Sequence, residues 1–163
     1  MTVTDPFLQA NADYAAGFDK GDLPSPPARR VAVVTCMDAR LIPSRFLGLE
    51  EGDAHVIANA GGRAPDVLRS LVVSQRLLGT NEVLVIQHTG CGMSKYTNEA
   101  IREKVEQDLG VDAGHIDFMA FADLEQSVRD DVRFLVEAPL IGSDVSVRGF
   151  VYDVTTGRLA EVV

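Results

Sequence analysis

Apolar residues in this chain fall into short unbroken runs separated by stretches of helical period. Val31-Ala32-Val33-Val34-Thr35 is a β-branched run with no polar alternation, the pattern of a strand buried on both faces. Ala54 to Ala58 and Glu82 to Gln87 read the same way. Between those two, Pro65 to Leu78 sets Leu68, Leu71, Val72 and Leu78 at helical spacing, with Gly79 as a stop. A polar helix is expected around Asn98 to Leu109. Another runs from Asp123 to Glu137, where Leu124, Val128, Val132 and Leu135 make an apolar stripe against a charged face. Ser146 to Val154, Thr155-Thr156-Gly157 and Arg158 to Val162 read as a closing hairpin. Near the N-terminus Asp5 is the expected N-cap of a helix, with Pro6 at its first position and Phe7, Tyr14 and Phe18 along one face. A linker-like stretch from Gly21 to Arg30, carrying Pro24, Pro26 and Pro27, follows it.

Strands alternating with helices predict an α/β fold: a mainly parallel central sheet flanked by helices, with a C-terminal hairpin strand and an N-terminal helical arm. No internal repeat or low-complexity tract interrupts the pattern. One domain is therefore expected over residues 1–163, with 1–30 as arm and linker. The length of 163 residues suits that reading, and 46% hydrophobic against 24% charged residues supplies a core rather than disorder. The formal charge of −9 repels nucleic acid and anionic membrane surfaces, so neither is an expected partner. No apolar run approaches the roughly 18 residues a membrane span needs. Met1 to Leu8 lacks the basic-then-apolar order of an export signal, and two cysteines make no disulfide scaffold. A soluble cytoplasmic protein is expected.

In sheets of this kind ligands bind at the carboxyl ends of strands. After the first strand comes Cys36-Met37-Asp38-Ala39-Arg40, and after the third His88-Thr89-Gly90-Cys91-Gly92. Cys36, Asp38 and Arg40 are spaced by two, so an extended segment sends all three side chains to one side. The glycines around Cys91 let the backbone turn and bring His88 and Cys91 toward one point. Two thiolates and an imidazole suit tetrahedral zinc; with three protein donors, the fourth position falls to water or to a carboxylate such as Asp38, as in a catalytic site. Each residue alone has a plainer explanation. The cysteines suit buried core thiols or a disulfide, His88 a satisfied core histidine, and Asp38 with Arg40 a surface ion pair. Their joint placement at neighbouring strand ends favours metal binding. Other motifs fail. Gly61-Gly62 lacks the third glycine of a dinucleotide fingerprint, no P-loop lysine follows Gly92, and no Gly-x-Ser-x-Gly elbow exists. His55, inside a predicted strand, and His115, in a loop, are assigned no role.

Cys36-x-Asp38-x-Arg40 followed by His88-x-x-Cys91 resembles the signature of the β-class carbonic anhydrases, and the His-Thr-Gly-Cys-Gly-Met wording and short length resemble their compact bacterial branch. The likeness extends to Asn59-Ala60-Gly61-Gly62 and the final hairpin. It implies one zinc ion per subunit on Cys36, His88 and Cys91, with water or hydroxide in the fourth position of an open state and Asp38 in that of a closed one. Arg40 is then the partner that draws Asp38 off the metal. The implied reaction is reversible hydration of carbon dioxide to bicarbonate and a proton. The implied assembly is a homodimer or homotetramer, with the N-terminal helix packed on a neighbouring subunit. The family often has arginine where this chain has Ala58, and plant-type members have a glutamine where it offers Pro26-Pro27-Ala28. Substrate orientation is therefore expected from other groups, such as the backbone amides of Gly61 and Gly62. The alternatives are a carbonyl sulfide or carbon disulfide hydrolase with the same zinc site, and a zinc-stabilised binding or regulatory protein without turnover.

Overall fold

The computed structural model describes residues 2–163, and its centre is β1 (Val31–Cys36), buried along its whole length. β2 (Ala54–Asn59) and β3 (Glu82–His88) flank it, both parallel to it. β4 (Ser146–Tyr152) runs parallel beside β3 and pairs antiparallel with β5 (Leu159–Glu161). The order β2-β1-β3-β4-β5 is the mainly parallel sheet with a terminal hairpin that the pattern predicts. Parallel neighbours need crossover connections. These hold α2 (Pro43–Phe46) between β1 and β2, α3 (Leu68–Arg76) between β2 and β3, and α4 (Asn98–Leu109) and α5 (Leu124–Glu137) between β3 and β4. On one face, Leu71 of α3 and Val132 and Leu135 of α5 close over Ala32, Val34, Val83 and Val85. Burying each large aliphatic side chain is worth roughly 1.5–3 kcal/mol. The opposite face is covered more thinly, with Phe46 and Leu47 over Val33, Ile86 and Phe150.

Several elements differ from the sequence expectation. Ala54–Ala58 reads as a strand buried on both faces, but β2 is an edge strand with Val56 46% exposed. An apolar run cannot distinguish the middle of a sheet from its margin. The helix expected over Pro65–Leu78 is a 3₁₀ turn, Pro65–Val67, followed by the shorter α3. The N-terminal helix α1 (Asp5–Ala16) begins one residue early: Thr4 stands at the N-cap, and the Asp5 carboxylate instead accepts the Thr2 amide at 2.9 Å. Phe18 lies beyond its end, stacked at a tilt on Tyr14. Asp123 does cap α5, accepting from the Gln126 amide. Among the described residues no helix is long and apolar enough to cross a membrane.

One consequence of this topology matters most for chemistry. β1 and β3 are neighbours with Thr35 opposite Ile86, so Cys36 and His88 leave the sheet at the same edge.

Candidate metal centre

Cys36, His88 and Cys91 converge there. Their donor atoms all lie within 4.8 Å of one another, and all three residues are buried. The cysteines are unpaired thiols rather than a disulfide. His88 Nδ1 donates to the Thr89 carbonyl at 3.0 Å, which leaves the lone pair on Nε2. That Nε2 is fully buried and has no hydrogen-bond partner among the described residues. A buried, unpartnered nitrogen facing two sulfurs is costly unless something binds it. The donor set of two soft thiolates and one imidazole fits Zn²⁺.

The electrostatics prepare the same result. The Cys91 thiol beside Cys36 pulls the Cys36 pKa down to about 4, against the opposing effect of burial, and the backbone amides of Asp38 and Gly61 also face its sulfur. The Cys36 sulfur in turn raises the Cys91 pKa, as does burial. Burial is the largest single influence on His88 and opposes its charge, but the Cys36 sulfur, the Thr89 carbonyl and Asp38 together raise the imidazole.

Asp38 and Arg40 arrive by a different route from the one their spacing predicts. The segment after β1 is not extended but turns, with the Leu41 amide bonded to the Asp38 carbonyl. Within the turn Arg40 grips Asp38 with both arms of its fork, Nε to Oδ1 at 2.8 Å and Nη2 to Oδ2 at 2.7 Å. Arg40 also donates to the Gly90 carbonyl at 3.3 Å, linking the two motifs. This grip holds the Asp38 carboxyl well below the usual carboxylate range. Asp38 Oδ2 sits 3.7 Å from His88 Nε2, beside the three donors rather than among them. Leu41, Phe46, Met93, Phe121 and Tyr152 pack around the two cysteines as an apolar wall.

Gly61 and Gly62 lie behind Cys36. Gly62 adopts φ +67°, and a Cβ there would meet the Cys36 nitrogen at 2.9 Å, so the turn presses on the backbone of a donor residue. His55 bonds Ser74 Oγ at 2.8 Å at the far end of the sheet, and His115 is exposed. Sequence reading overlooked Arg63, Asp131 and Gln87, which support this edge from the α5 side. The one available signal was Asp131 itself, an acid on the apolar stripe of α5 between Val128 and Leu135.

A family model described as carbonic anhydrase matches residues 31–159. The chain is 46% identical to β-carbonic anhydrase 1 of Mycobacterium tuberculosis over 163 residues, covering 99% of each protein. A crystal structure of a carbonic anhydrase from Streptococcus mutans superimposes with a TM-score of 0.95 at 48% identity, over 100% of this chain and 99% of that one. A carbon disulfide hydrolase from an Acidianus strain is more distant, 34% identical over 95% of this chain and 86% of its own length.

Proposed function

Because the chain belongs to the β-carbonic anhydrase family, we propose that it catalyses the reversible hydration of carbon dioxide to bicarbonate and a proton. The observation that carries this reading is the buried Cys36–His88–Cys91 cluster with an ionised Asp38 held beside it by Arg40. Cys36, His88 and Cys91 would hold one zinc ion per subunit, which supplies the Lewis acidity that makes a nucleophile of water near neutral pH. Asp38, acceptor-only while ionised, takes a hydrogen bond from the attacking water and so directs its lone pair toward the carbon. Arg40 keeps Asp38 ionised and turned away from the donors. Loss of that grip frees the carboxylate to swing onto the cluster as a fourth ligand, the closed arrangement. The apolar wall of Leu41, Phe121 and Tyr152 suits a small substrate without charge, and Gly61 and Gly62 line the same edge.

The measurement that tests this is zinc content of reduced protein alongside stopped-flow hydration of carbon dioxide. Stoichiometric zinc with rapid hydration is expected. Rapid sulfide release from carbonyl sulfide or carbon disulfide with negligible hydration overturns the substrate. Full zinc occupancy with no turnover on any of the three points to a non-catalytic zinc protein.

The assembly we propose is a homodimer or homotetramer. None of the residues of α1 is buried within its own chain, and Phe7 and Leu8 are 66% and 67% exposed. Unpaired cysteines in a metal-suited cluster fit a reducing compartment, the cytoplasm.

A further inference from the structure

Asp131 is a carboxylate with 1% of its side chain exposed, on the sheet-facing side of α5. Four donors from two separate segments, residues 63–64 and the end of β3, converge on it. Arg63 binds it through Nη2 at 2.8 Å and Nε at 3.0 Å, the Ala64 amide at 2.9 Å, and Gln87 Nε2 at 3.2 Å. The Arg63 guanidinium reaches further, donating to the Met119 carbonyl and lying 5.6 Å over the ring of Phe121.

Those two segments, and the Met119–Phe121 stretch that Arg63 also holds, each lead to one metal donor. Arg63 closes the turn after β2: its amide donates to Asn59 Oδ1 at 2.8 Å and its carbonyl accepts from Asn59 Nδ2 at 2.9 Å. That turn contains Gly62, flush against the Cys36 backbone, and Gly61, whose amide faces the Cys36 sulfur. Gln87 immediately precedes His88 on β3. Phe121 packs against the cysteines, and its amide is bonded to the carbonyl of Met93, two residues after Cys91. A buried ion pair adds little net stability over a well-packed apolar replacement. What this one supplies is a common anchor for the Gly61–Gly62 turn, the end of β3 and the segment carrying Phe121.

We propose that Arg63 and Asp131 form a positioning clamp for the metal centre, setting the Gly61–Gly62 turn, the end of β3 and the Phe121 wall against Cys36, His88 and Cys91. The clamp touches neither metal nor substrate; it acts through the groups that orient the donors. It rests on the metal reading above.

The test uses full-length protein loaded with Co²⁺, whose thiolate charge-transfer band reports the sulfur environment, and a chelator that strips the metal. The variants are Asp131→Asn, which keeps the shape and removes the charge, and Arg63→Lys, which keeps the charge and removes the fork. Leu71→Ala, buried in the core on α3, is the control for stability alone. Both clamp variants should show a shifted band and metal loss about 10- to 100-fold faster than wild type. Leu71→Ala should lower the melting temperature and leave both readouts unchanged. If Asp131→Asn does not fold, Arg63→Lys carries the same readouts. The clamp is overturned by clamp variants with wild-type band and stripping rate, or by Leu71→Ala matching them. Wild-type protein that takes up no cobalt overturns the metal reading instead, and the clamp with it.

Discussion

Cys36 and Cys91 carry the same side chain in different states. With Cys36 down to about 4 and Cys91 raised, metal-free protein near neutral pH holds one thiolate and one thiol in contact. Metal binding must therefore expel the Cys91 proton, and the His88 proton too wherever the imidazole is charged. Since His88 is raised, that second contribution grows as pH falls. Proton release per zinc should be about one on the alkaline side and climb on acidification, with affinity weakening in the same direction; titration in lightly buffered solution with a pH indicator checks it. At Asp38 the sign is opposite. Its pKa is depressed by Arg40, so it stays ionised through mildly acid conditions, and its pairing is lost only as pH falls far below neutrality. Asp38→Asn and Arg40→Ala should each retain zinc and lose most of the hydration rate, about 100-fold or more for a group that positions the nucleophile. Metal analysis together with stopped-flow rates separates these variants from Cys36→Ser, which should lose the metal itself.

At the scale of elements, the seat of α5 on the sheet is Gly149 of β4. A Cβ there would come within 2.5 Å of Val128 and 2.9 Å of Val132, so the helix lies directly on the strand backbone. Gly149→Ala should cost about 1–3 kcal/mol through overpacking and lower the melting temperature by several degrees in calorimetry, with zinc content unchanged. α5 was legible from the sequence because its apolar stripe has helical period and Asp123 caps it. The margin position of β2 was not, since Ala54–Asn59 has the same apolar composition whether it has one neighbour or two. Asp131 was hidden for a related reason. A single acid on an apolar stripe reads as an interruption until its partner, Arg63, is brought to it from another part of the chain.

For the whole molecule, the acidic surface and the uncovered arm pull in different directions. A net charge of −9 keeps molecules apart at long range, while α1 leaves Phe7 and Leu8 about two-thirds exposed and Tyr14 half-exposed. The arm is tied to the body through Glu51, which accepts from Tyr14 and pairs with Lys20 at 2.7 Å. Phe7→Asp should shift the protein toward a smaller species in sedimentation velocity, whereas an unchanged sedimentation coefficient would remove α1 from the assembly.

The sequence by itself determined the donor chemistry and its address: two thiols, an imidazole, a carboxylate and a guanidinium, all just past predicted strands. Residue identity sets chemistry, and apolar runs of short period announce strands and helices locally. Only the tertiary structure decided that β1 and β3 lie side by side, that Arg40 grips Asp38 within a turn, and that Arg63 reaches Asp131 in the core. Those arrangements depend on strand order and on contacts between residues far apart in the chain, and no local periodicity encodes which distant neighbour a side chain will meet.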